Sequence, residues 1–160
     1  MPQAPDHPRL CDRLKSTVRD LVALTANVGP ARLRRAPGPD EWSAAMVIAH
    51  LADSEMAYGV RLRLLLTEPR PVLAPFDDNA WVERFSSLDQ DPKDTLTRWR
   101  VLREANVRIF ESLEDTEWKQ AGVQVERGEQ TVEQIAVLLA DHDRNHLDQI
   151  RRTLAEGGRG

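Results

Sequence analysis

Apolar residues recur at steps of three and four along four long stretches of this 160-residue chain. In the first, Leu10, Leu14, Thr17, Leu21, Leu24 and Val28 form one face of a helix predicted over residues 9–28 and ended by Gly29-Pro30. Ala31 to Asp40, rich in arginine and proline, reads as a connection. Ser43 is placed to cap a second helix over 44–67, with Trp42 before it positioned to pack on Val47. The stripe of that helix runs Met46 or Val47, His50, Ser54, Ala57, Arg61, Leu65, and Gly59 sits inside it at a modest propensity cost.

Glu68 to Pro92 is a long connection, beyond the usual two to eight residues of a bundle loop. Asn79 to Phe85 within it suits a short helix burying Trp81 and Phe85. A crossover of this kind lets two neighbouring helices run parallel. Asp91-Pro92 opens a third helix over 92–115, with Leu96, Trp99, Leu102, Ile109 or Phe110, and Leu113 as its buried stripe. The period then changes. Val123 and Val125 alternate with polar residues between Gly122 and Gly128, which predicts a short extended or hairpin insert. Thr131 and Gln134 make a capping box for a fourth helix over 131–155, closed by Gly157-Gly158. The pattern predicts an all-α four-helix bundle in one domain, residues 1–160. It has a long crossover between helices 2 and 3, a short insert before helix 4, and a loose arm over residues 1–8.

Composition narrows the function. A hydrophobic fraction of 41% with 30% charged residues suits a globular protein, and a net charge of −4 argues against a nucleic-acid surface. No apolar run approaches the roughly 20 residues of a membrane span, and no secretion signal is visible. The expectation is therefore a cytoplasmic protein with a small-molecule substrate. One cysteine, Cys11, excludes an internal disulfide framework. The run Leu64-Leu65-Leu66 exceeds what one stripe buries and suggests packing under the crossover or a homodimer interface.

The four histidines carry the chemistry. On the fourth helix the stripe reads Val132, Ile135, Leu139, His142, His146, Ile150, so two imidazoles one turn apart share the inward face. His50 shares the inward stripe of the second helix, whereas His7 falls in the arm. A lone histidine on an apolar face is ordinarily a hydrogen-bonded core residue. Three on two facing stripes are better explained by a divalent metal ion, since each unmet buried polar group costs ~1–3 kcal/mol. Asp53 and Asp143 are placed either to accept the outer ring N–H of a ligand histidine or to solvate their helices. Arg103, beside Asn106 on the third stripe, is placed for a structural ion pair with Glu55 or Asp53. No Ser-His-Asp or Cys-His nucleophile stands out, so the catalytic group itself is unassigned.

The chain resembles the DinB/YfiT-like superfamily of four-helix-bundle metalloproteins over nearly its whole length. The resemblance is carried by Glu41-Trp42-Ser43, Ile48-Ala49-His50-Leu51-Ala52, Arg103 with Asn106, Gly128 through Val132, His142-Asp143, His146-Leu147 and Gln149-Ile150. It implies that His50, His142 and His146 bind a divalent metal. Branches of the family use low-molecular-weight thiols such as bacillithiol or mycothiol, so the resemblance implies a thiol-dependent transferase in stress or detoxification. Zinc, nickel or iron(II) on three histidines keeps open positions, so a hydrolase working through acidified water is the alternative reading. A non-catalytic binding or dimerising module with a structural ion is the third.

Overall fold

The computed structural model describes residues 6–88 and 91–156. Four long helices make the bundle: α1 (His7–Thr25), α3 (Ala44–Thr67), α5 (Pro92–Ser112) and α6 (Val132–Glu156). Two short helices, α2 (Pro30–Leu33) and α4 (Asp78–Phe85), lie in the connections. A three-stranded sheet joins β1 (Val72–Leu73) in parallel to β2 (Ala121–Gln124), which pairs antiparallel with β3 (Gly128–Thr131).

The caps are those the sequence predicts. Ser43 Oγ accepts from Met46 N at 3.2 Å, Asp91 Oδ1 from Lys93 N at 2.9 Å, and Thr131 and Gln134 bond reciprocally at 2.9 and 3.1 Å. Other boundaries differ. Asp6 caps α1 through Arg9 N, so His7 and Pro8 belong to the helix rather than to an arm, and α1 stops at Thr25. Gly29 then caps α2, which turns Leu33 into the core, so Gly29-Pro30 starts a helix rather than ending one. The third long helix stops at Ser112, three residues early. The rest of the predicted arm, residues 1–5, and Gly157-Gly158 lie outside the described residues.

The core consists of two apolar clusters. One gathers Leu10, Leu14, Tyr58, Leu62, Leu65, Phe110, Trp118, Ile135 and Leu139, and the other Leu21, Leu33, Val47, Ile48, Leu51, Trp99, Leu147, Ile150 and Leu154. Helices α1 and α6 meet the first cluster before the second, while α3 and α5 meet them in reverse. So α1 runs parallel to α6 and α3 to α5. Each pair packs side by side, and α3 also packs on α6 and α1 on α5. The parallel α3–α5 pair requires the long crossover that the sequence shows. Arg61, buried on α3, pins it by donating to Ala74 O at 2.6 Å beneath Phe76. Leu65 is buried, and Leu64 and Leu66, partly buried, pack on the first cluster.

Several burial expectations are corrected. In α4 it is Val82 that is buried, while Phe85 is 47% exposed and Trp81 is half-buried against Phe76. In α5 the inward stripe is Thr95, Trp99, Arg103, Asn106, Val107, Phe110, which leaves Leu102 and Ile109 half-buried. In the hairpin the polar residues of the alternation are the buried ones. Gln124 and Gln130 point in and Val125 is exposed at the turn, where Gln124 Oε1 accepts from the N–H groups of Glu126 and Arg127. Gly122 lies within β2 because any Cβ there would meet Pro71 O at 2.6 Å.

Candidate metal centre

Between the two apolar clusters runs a belt of polar side chains, contributed by Thr17, Ser54, Glu55, Arg103, Asn106 and Asp143. The histidines occupy its outer side, on the seam of α3 and α6. His50 is 4% exposed. His142 and His146 are half-buried, because Asp143 and Leu147 take the innermost positions of α6. The inward placement expected for the pair is thus shifted by one residue, to the edge of the stripe. Their rings converge on His50, with centroids 4.8 Å (His142) and 4.6 Å (His146) away and 4.4 Å from each other. The three donor nitrogens lie within 4.8 Å of one another.

Nε2 of His50 is 2.8 Å from Nε2 of His142, and Gln149 Oε1 lies 2.8 Å from Nδ1 of His146. With Gln149 accepting the Nδ1 proton, Nε2 of His146 is left with its lone pair. Burial, reinforced by the other two rings, lowers the His50 pKa to about 3. Burial first, then His142, also lowers that of His146. His50 and His146 are therefore neutral donors near pH 7. Two facing Nε2 atoms cannot both be protonated at 2.8 Å, and His142 Nδ1 is a buried atom with no hydrogen-bond partner. This donor set fits a divalent zinc, nickel or iron ion, and His50, His142 and His146 are the residues to hold it.

The inner side of the belt is closed on itself. Arg103, 1% exposed, uses all five N–H donors. Nε and Nη2 reach Glu55 Oε2 at 3.0 and 2.7 Å, Nη1 and Nη2 reach Asp143 Oδ2 and Oδ1 at 2.5 and 3.1 Å, and Nη1 also reaches Leu14 O at 3.2 Å. Asn106 Nδ2 donates to Glu55 Oε1 at 2.8 Å, and Asn106 Oδ1 accepts from Arg63 Nη1 at 2.9 Å. Gly59 is needed opposite it, since a Cβ there would lie 2.9 Å from the Asn106 amide. Of the two acids considered for Arg103 from sequence, Glu55 is the partner; Asp143, read only as a neighbour of the histidines, is the second. Asp53 is half-buried elsewhere on α3. Burial works to raise the Asp143 pKa, but the Arg103 guanidinium, with His142, holds it below the usual carboxylate range.

Three residues near the histidines escaped the sequence reading of the site. Gln149 lies one turn beyond His146 on the same helix, a spacing that could have revealed it. Trp42, expected only to pack against Val47, has its ring 5.3 Å from that of His50. Asp78 opens α4, and burial raises its carboxyl pKa while His142 opposes the rise. No local pattern links Asp78 to α6; only the crossover brings it there. His7 is far from this group of residues. It stacks on Trp118 at 4.1 Å and bonds Glu133 at 2.8 Å. Cys11 is buried in the first cluster, where burial pushes its thiol pKa up.

A four-helix bundle with three converging imidazoles on one seam defines a class of metal-site bundle proteins. Residues 13–150 match the sequence model of the DinB superfamily, and the chain belongs to that superfamily. It is 31% identical over 110 residues to YfiT of Bacillus subtilis, named "Putative metal-dependent hydrolase", over 68% of this chain and 62% of that protein. The match thus spans less than two thirds of that relative. It is 29% identical over 145 residues to OB0782 of Oceanobacillus iheyensis, which carries the same description, over 91% of this chain and 78% of that one. The solved structure of Bacillus subtilis YfiT, described as having an unusual four-helix bundle topology, superposes with a TM-score of 0.87 at 23% identity, covering 99% of this chain and 93% of that one. The four-helix bundle protein TT2238 superposes at 0.63 and 20% identity, covering 91% and 98%. Among the described residues no helix is long and apolar enough to cross a membrane.

Proposed function

We propose that this chain is a divalent-metal-dependent hydrolase whose ion is held by His50, His142 and His146. The observation that carries the reading is the convergence of three imidazole nitrogens within 4.8 Å on a seam where two of the rings are half-open to solvent. The description of its relatives as metal-dependent hydrolases supports it. An ion there supplies Lewis acidity, polarising a carbonyl or phosphoryl oxygen and acidifying water. The protein's own residues do the rest. Burial keeps His50 unprotonated, and Gln149 holds the Nδ1 proton of His146. Asp78, whose carboxyl pKa burial raises while His142 opposes the rise, is the proton acceptor of this proposal.

Elemental analysis of the purified protein, followed by a panel of ester, amide and lactone substrates, tests the reading. The expected result is about one divalent ion per chain and turnover abolished by chelation. Asp78→Asn should keep its ion and lose roughly 10²-fold or more in kcat. Turnover appearing only with an added low-molecular-weight thiol would replace hydrolysis by thiol transfer. Unfolding on metal removal would make the ion structural.

A further inference from the structure

We propose that Asp143, clamped from behind by Arg103, is the positioning residue of the metal centre: it accepts a hydrogen bond from the Nδ1–H of His142 and so presents that ring's Nε2 to the ion. The inference rests on the three-histidine reading and deepens it. Among the described residues, His142 Nδ1 is one of the few buried polar side-chain atoms without a partner, and Asp143 Oδ1 stands 3.9 Å from it, just beyond a hydrogen bond. A neutral imidazole that gives Nε2 to a cation must carry its proton on Nδ1, and the cation makes that N–H a stronger donor. The waiting acceptor is thus next to the nitrogen that needs it.

The clamp explains why Asp143 cannot turn elsewhere. Both of its oxygens meet Arg103, it is 1% exposed, and Arg103 has no donor left over. Each carboxylate oxygen has two lone pairs, so Oδ1 keeps one for His142 while still accepting from Nη2. Glu55 is turned away from the histidines. Its Oε2 goes to Arg103 and its Oε1 to Asn106. The charges point the same way. Glu55, Asp143 and Arg103 sum to one buried negative charge, and of the two carboxylates it is Asp143 that stands 3.9 Å from a histidine nitrogen. A cation among those histidines is the complement of this surplus.

The test compares Asp143→Asn with Glu55→Gln, both of which remove one buried carboxylate charge from the same array. Zinc affinity is measured by competition against a chelator, with the Co(II) absorption spectrum as a second readout. Asp143→Asn should weaken zinc binding about 10- to 100-fold and alter the Co(II) spectrum. Glu55→Gln should lower Tm yet leave zinc affinity within about threefold. Equal zinc affinity of Asp143→Asn and wild type, or equal losses in the two variants, would overturn the proposal. Should Asp143→Asn not fold, the wild type decides. In the zinc-loaded, 15N-histidine-labelled protein, the His142 Nδ1 proton should give a slowly exchanging, downfield resonance, and its absence would overturn the proposal. Failure of the three-histidine reading is distinct: wild type and His146→Ala would then bind zinc equally, or neither would bind it.

Discussion

The two sides of the polar belt solve the same physical problem in opposite ways. On the inner side, Arg103, Glu55, Asp143 and Asn106 are charged or strongly polar, almost wholly buried, and closed on one another. On the outer side, His50, His142 and His146 are apposed, with two Nε2 atoms 2.8 Å apart and one buried Nδ1 unpartnered. A polar cluster that satisfies itself is part of the folded scaffold. A cluster whose donors converge and remain incompletely matched is made for something the chain does not itself contain. Burial does not set His50 apart from the inner side, since it is as buried as Asn106.

The largest expected effect comes from breaking the inner side. Arg103→Ala would strand two buried carboxylates, at a cost of about 3–5 kcal/mol. At ~2–4 °C per kcal/mol for a chain of this size, Tm should fall by roughly 6–20 °C in thermal melts of metal-free protein. Arg103→Lys should rescue little, because an ammonium has three donors and no planar fork. Next in size is the outer side. His146→Ala should leave the Tm of metal-free protein nearly unchanged, yet remove most bound metal in elemental analysis. It should also abolish the ~2.7 kcal/mol of stabilisation that wild type gains from zinc at a hundred times its dissociation constant. A metal-free His146→Ala that melts as low as Arg103→Ala would erase the distinction between the two sides.

How much of this was legible in the sequence follows the range of the forces involved. The caps at Ser43, Asp91 and Thr131 and the span of α3 depend on residues within one turn, and a linear pattern records them. His50, His142 and His146 could be chosen because helical spacing puts each on or beside an inward stripe. The pattern failed where tertiary contacts set the phase. Along α5, two polar residues displaced Leu102 and Ile109 from the innermost stripe, because Glu55 and Asp143 arrive from other helices to pair with Arg103. The strand Val72–Leu73 was unreadable, since its partner Val123–Gln124 lies some fifty residues further on. His7 looked loose for the same reason: Trp118 and Glu133 reach it only in the fold. Asp78 came to light only when the crossover brought it near α6.

The smallest expected effect, and the one that separates the two sides by sign, is the response of metal-free protein to acid. His50 is held neutral, with its pKa lowered to about 3 in the fold against about 6.5 in an unfolded chain, and His146 is lowered too. Below pH 6.5 the unfolded chain takes up protons at these positions that the folded protein refuses. Folding stability is therefore fully present above pH 6.5 and is lost as pH falls from there toward 3. Asp143 behaves differently. Its folded pKa is depressed, so its contribution is present above the ordinary aspartate value of about 3.9 and is lost only as pH falls further. Melts at pH 7.5 and pH 5.0 consequently probe the histidines while Asp143 keeps its charge. Wild type should lose on the order of 1 kcal/mol across that interval, after discounting for solvent reaching the half-open rings. That is ~2–4 °C in Tm. His50→Gln, which has nothing to titrate at that position, should show a flatter dependence, whereas Glu55→Gln should start from a lower Tm and keep the wild-type slope. Equal slopes in wild type and His50→Gln would mean that the fold does not hold the outer imidazole neutral, and the contrast between the two sides would lose its electrostatic basis.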